Sequence, residues 1–156
     1  MENQIILQVG VKILLKNTEG KFLLLRRNPL KYPEVGPKWD IVGGRINSGS
    51  RLLENLKREI KEETGLSLSA TPKLVAAQDI LVHRYTDSAD NKDKSINNIN
   101  KHVVRLTYIG EIEGEPIIDG EHTEAKWFTA EEIKNLDSAV LDSYFKELLQ
   151  NKIINL

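Results

Sequence analysis

The chain has 156 residues, 40% hydrophobic and 29% charged, with a formal net charge of −1 at pH 7. That is enough for one domain with its own core and too little for two comfortable ones, and the near-zero charge gives no general electrostatic case for a nucleic-acid or membrane partner. The absence of cysteine removes disulfides, thiolate metal sites and cysteine nucleophiles, and fits a reducing cytoplasm.

In chain order, MENQIILQVGVKILLKN does not read as a signal peptide, because Gln8 and Lys12 break its apolar run and no basic segment precedes it. No run reaches the roughly 18 apolar residues needed to span a bilayer. Residues 4–15 and 21–26 read as strands joined by the polar turn Asn17-Thr18-Glu19-Gly20, a hairpin. Residues 28–38 hold three prolines and one glycine and read as a loop. Trp39 to Val42 is a short strand ending at Gly43-Gly44. Residues 51–64 read as a helix whose core side is Leu53, Leu56 and Ile60, with Gly65 at the stop position. Residues 73–83 form a strand. Residues 86–100 are polar and aperiodic, a mobile loop or long hairpin tip. Strands follow at 102–112 and 124–128. Thr129-Ala130-Glu131-Glu132 is a capping box, and residues 138–150 close the chain as an amphipathic helix. Strands on both sides of one central helix, with another helix at the end, predict an α/β fold whose sheet is covered on two faces.

The central helix raises the functional question. With Glu59 as reference, Glu63 lies about 40° to one side and Glu62 about 60° to the other, so three carboxylates share one face. Such clustering destabilises a helix and raises carboxylate pKa values unless something positive neutralises it. Arg58 can pair with Glu62, but one arginine cannot balance three glutamates. Two readings are open: a solvated charged face, or a site for an oxygen-liking cation such as Mg²⁺ or Mn²⁺. The glycine pair just upstream lets backbone approach a ligand.

This stretch resembles the box of the Nudix hydrolases: a glycine, five residues, a glutamate, seven residues, then Arg-Glu-apolar-x-Glu-Glu-x-Gly-apolar. Gly44, Arg58, Glu59, Ile60, Glu62, Glu63, Gly65 and Leu66 fill eight of the nine fixed positions. LLLRR (23–27) and EHTEAKWFTAEEI (121–133) resemble other family segments. The resemblance implies an α/β/α sandwich with a central mixed sheet flanked by helices. It implies a hydrolase that cleaves a diphosphate linkage in a nucleoside diphosphate joined to another moiety, with Mg²⁺ or Mn²⁺. It assigns metal to Glu59, Glu63, Glu62 and the Gly43 carbonyl, gives Glu62 a role in activating water, and has Arg58 hold the glutamate array. A further loop glutamate is expected; Glu121 is the first choice and Glu124 the second. Homodimers also occur among the relatives.

The departure is Ser50, where the family has a glutamate that supports the loop and the arginine. Ser50 is a good helix N-cap, or it marks a weakened catalyst or a binding-only sensor. For the substrate, Arg27 and Tyr85 are the preferred contacts and Trp39 a possible stacking platform, with Arg26, Lys38, Arg84 and Arg105 as further cations. Leu81 and Tyr85 do not match the markers that the resemblance associates with particular substrates. His83, His102 and His122 form no spaced metal motif and read as strand or loop residues. A prenyl-diphosphate isomerase on a related fold would need a catalytic cysteine, which this chain lacks. The expected partner is a small nucleotide, with no nucleic-acid polymer and no membrane.

Overall fold

The computed structural model describes residues 5–33, 36–83 and 99–156. The elements are β1 (Ile6–Lys16), β2 (Phe22–Arg27), β3 (Trp39–Asp40), β4 (Val42–Arg45), α1 (Leu52–Thr64), β5 (Lys73–His83), β6 (Ile99–Glu111), β7 (His122–Phe128), α2 (Ala130–Lys134), a 3₁₀ turn (Ser138–Val140) and α3 (Ser143–Gln150). Arg84, Tyr85 and most of the polar 86–100 segment lie outside the described residues. The strand expected at 102 already begins at Ile99.

The central strands are nearly continuous apolar runs because they are covered on both faces. Along β1 and β2, Val11, Ile13, Leu15, Leu23 and Leu25 point to one side and meet Val42, Leu56 and Ile60. Leu14 and Leu24 point to the other and meet Phe128, Ile133, Leu141, Phe145 and Leu148. The result is a mixed central sheet with α1 on one face and α2 and α3 on the other.

The sheet order is β3-β2-β1-β6-β5, with β4 also paired to β1 and β7 to β2. β1 runs parallel to β6 along its whole length. On its other edge it pairs with β4 from Gly10 to Ile13 and with β2 only at Leu15 and Lys16. The expected hairpin therefore exists but is short. The expected 39–42 strand is two strands, since β3 pairs with β2 while β4 pairs with β1. That change of neighbour brings Gly43 and Gly44 to the middle of β1, beside α1.

Three expectations need correction. Leu53, expected on the core side, is 37% exposed while Asn55 is fully buried, so the inner face of α1 includes a polar residue. Ser50 does not cap α1: the helix starts after Arg51, which has extended backbone and no side-chain cap bond. The terminal helix is broken at Leu141-Asp142, because the Asp142 carboxylate accepts from the Tyr144 and Phe145 N–H groups and starts α3 afresh. The capping box at Thr129 and the Gly65 stop, at φ 74°, form as expected. Among the described residues, no helix is long and apolar enough to cross a membrane.

Candidate active site

The last turns of α1 meet β4 at the glycine pair. Glu63 is buried there, and its Oε2 accepts the Gly43 N–H at 2.8 Å. Its Oε1 lies 3.9 Å from His122 Nε2, and His122 Nδ1 is 2.7 Å from Asp119 Oδ1. Burial pushes the Glu63 pKa up to about 8, although Lys12 and the Gly43 N–H pull it down. Glu59 lies against Gly44: a Cβ added there would come within 2.8 Å of the Glu59 carboxylate. Burial raises the Glu59 pKa too, with Arg58 opposing. Glu62 is more exposed, and Arg58 ties the set together through Glu62 Oε2 at 2.8 Å and Glu59 Oε1 at 3.0 Å.

The chemistry of this donor set suits a hard divalent cation. All the donors are oxygen, and burial disfavours two of the carboxylates as bare anions, a penalty that a bound cation relieves. Among the described residues, however, no three acidic or histidine side chains already converge on one ion position. The Gly43 carbonyl accepts from Lys12 Nζ at 3.2 Å. Glu121 is at the surface, its carbonyl accepting from Asn28 N–H at 3.0 Å. Burial first, then Glu121 and Glu63, raise the pKa of the Tyr32 phenol. Glu124 sits on β7 opposite Arg26.

On the α3 side of β1 lies a cavity of about 560 Å³, lined by residues that include Gly10, Lys12, Gly44, Val103 and Tyr144. Gly44 therefore stands between the cavity and Glu59. The lining is rich in cations: Lys12, Arg27, Lys38, Arg45 and Arg105. Three of them belong to a buried network. Lys12, Arg27 and Arg105 all pair with Asp40, and both arginines also pair with Asp142 at 3.1–3.2 Å. Burial alone would raise the Asp40 pKa, but these three cations hold it well below the usual carboxylate range. Arg27, expected as a substrate contact, reaches the cavity already engaged by two carboxylates. The Trp39 ring packs edge-on against Phe128 at 5.1 Å and 80°, within the α3-side core. An Arg105→Met variant leaves Asp40 and Asp142 short of a buried partner and is expected to lose about 3–5 kcal/mol, read as a lower urea midpoint.

With this geometry established, comparison with known proteins decides the family. The family model described as NUDIX domain matches residues 6–149. The chain belongs to the Nudix family. A segment of 62 residues, 38% of this chain, is 42% identical to the m7GpppN-mRNA hydrolase NUDT17 of Xenopus laevis, and spans only 20% of that protein. Among solved structures, the MutT protein of Methanosarcina mazei Go1 superposes with a TM-score of 0.70 at 24% identity, covering 96% of this chain and 95% of that one. A UDP-X diphosphatase superposes at 0.60 and 20% identity, covering 96% of this chain and 64% of that one. At such identities these structures establish the shared Nudix fold.

Two residues of the candidate site escaped the sequence reading. His122 joins Glu63 only because β7 begins beside the end of α1. Asn55, which the sequence reading passed over, bonds the loop leaving β4 through its side chain. Its one sequence signal is a polar amide directly beside Leu56.

Proposed function

We propose that this Nudix chain hydrolyses a diphosphate linkage in a nucleoside diphosphate joined to another moiety, using Mg²⁺ or Mn²⁺. The observation that carries the reading is Glu63: a carboxylate buried at the glycine pair, beside Glu59, and one glycine away from a cation-lined cavity. A volume of about 560 Å³ lies within the range of small-molecule sites. The NUDT17 relative and the UDP-X diphosphatase neighbour bear names that specify nucleotide anhydrides.

In this reading Glu59 and Glu63 would hold the cation, with Glu62, Glu121 and the Gly43 carbonyl as its further oxygen donors. The bound cation supplies charge neutralisation for phosphate oxygens and an acidified water. The chain's own residues do the rest. Arg58 keeps Glu59 and Glu62 apart and aimed. Lys38 and Arg45 attract the anionic substrate into the cavity. Tyr144, whose ring lies 5.8 Å from the buried Arg105 guanidinium, offers the cavity an aromatic wall against which a base can lie. The Asp40–Asp142 network fixes that wall.

The test is formation of nucleoside mono- or diphosphate products, resolved by chromatography, from a panel of ADP-ribose, dinucleoside polyphosphates, nucleotide sugars, capped dinucleotides and oxidised triphosphates, with Mg²⁺ or Mn²⁺ and with EDTA. Turnover of at least one member that EDTA abolishes is expected. Nucleotide binding without any turnover would replace the hydrolase reading with that of a sensor on the same fold.

A further inference from the structure

Asn55 supports an inference that rests on the hydrolase reading. It is fully buried on α1, where an unused amide would be costly. Both ends of the amide are used. Oδ1 accepts the Asn47 N–H at 3.0 Å and Arg58 Nη2 at 3.1 Å, and Nδ2 donates to the Arg45 carbonyl at 3.4 Å. One side chain thus joins the loop leaving β4, the helix and the arginine that grips Glu59 and Glu62. Ser50, by contrast, meets this loop through its backbone N–H, which donates to the Asn47 carbonyl at 2.9 Å. Arg58 Nε is buried and lacks a partner among the described residues.

We propose that Asn55 is the positioning residue for the acidic face of α1: it sets Arg58, and through it Glu59 and Glu62, and supplies in this chain the support that a serine at position 50 cannot give. The residue fixes geometry and touches neither cation nor substrate. Its loss should therefore appear in kcat and in cation affinity, with little change in KM.

The experiment compares the native chain with Asn55→Leu, Ser50→Glu and the double variant. Leucine refills the volume, and urea unfolding checks that the fold persists. Asn55→Leu is expected to lower kcat and to weaken Mn²⁺ binding, measured by calorimetry without substrate, each by about 10- to 100-fold. Ser50→Glu alone should change both by less than about threefold. In the double variant the new carboxylate can reach the unused Arg58 Nε donor, and most of the loss should be recovered. Native kcat and Mn²⁺ affinity in Asn55→Leu would overturn the proposal. A tenfold gain from Ser50→Glu alone would also overturn it, by showing that the native chain lacks the support assigned to Asn55. If no substrate is turned over but Mn²⁺ binds, and binds more weakly to Asn55→Leu, the hydrolase reading fails and the positioning role stands.

Discussion

A Glu63→Gln variant is expected to lose turnover by about 10³-fold or more and, in the same tube, to be more stable than the native chain when metal-free at pH 8. The first effect follows from removing a buried negative oxygen donor, since a catalytic cation supplies several kcal/mol of charge stabilisation and each 1.36 kcal/mol is about tenfold. The second follows from linkage. Burial pushes the folded-state pKa of Glu63 up to about 8, whereas the unfolded chain titrates near the ordinary value of about 4.3. Below about pH 4 the group is protonated in both states and the variant gains nothing. As pH rises towards 8, the unfolded chain releases the proton that the native fold retains, so native stability falls, by roughly a few kcal/mol across the window. Glutamine stays neutral throughout. Thermal unfolding in EDTA from pH 5 to 8 should therefore show the variant's advantage growing with pH, and saturating Mg²⁺ should erase it by stabilising only the native chain. Curves that stay parallel would mean that Glu63 gives up its proton in the fold as readily as in the unfolded chain.

That trade between stability and activity was partly legible in the sequence. Gly44, Arg58, Glu59, Glu62 and Glu63 are fixed by spacing along one short segment, so helical geometry alone places the carboxylates together. What spacing cannot show is which of them is buried. Glu63 is submerged because the chain leaves β2 after β3 and pairs with β1 as β4, a change of partner set by tertiary packing. The same limit hid His122, whose partner Glu63 lies on another element, and the Arg27 network, whose second acid Asp142 is 115 residues away. Asn55 went unremarked because a helical period of apolar residues does not single out an amide, and only the β4 loop supplies the partners that make its burial tolerable. The Nudix resemblance marked Ser50 as the departure from a glutamate that supports the loop, and of its two explanations the N-cap role gave way because the helix starts one residue later. The parallel β1–β6 pairing, joining residues about a hundred positions apart, leaves no local mark at all.

The two glycines at the site should answer the same substitution in opposite ways. At Gly43, φ is 137° and an added Cβ would stand 2.0 Å from the Val11 carbonyl oxygen and 2.8 Å from the Lys12 Cα. Both obstacles are backbone of the central strand, so nothing cheap can move. Strained backbone and overpacking each cost about 1–3 kcal/mol, and Gly43→Ala should lose about 3–6 kcal/mol, a large share of the roughly 5–15 kcal/mol that holds a domain together. It should appear as a collapse of the urea midpoint or as failure to accumulate folded protein. At Gly44 the obstacle is the Glu59 carboxylate, 2.8–2.9 Å away, the far end of a side chain that can swing aside. Gly44→Ala should keep an unfolding temperature within a few degrees of native, yet displace Glu59 and cost about 10²-fold in kcat, as a misplacement of about 1 Å does. Equal thermal losses in the two variants would show that Gly44 is there for the fold. A silent Gly44→Ala would show that the close approach of Glu59 to the β4 backbone has no part in the chemistry. The contrast places the structural demand on one glycine and the functional demand on its neighbour, which is the division expected where a strand must cross a sheet and present a carboxylate to a cavity within two residues.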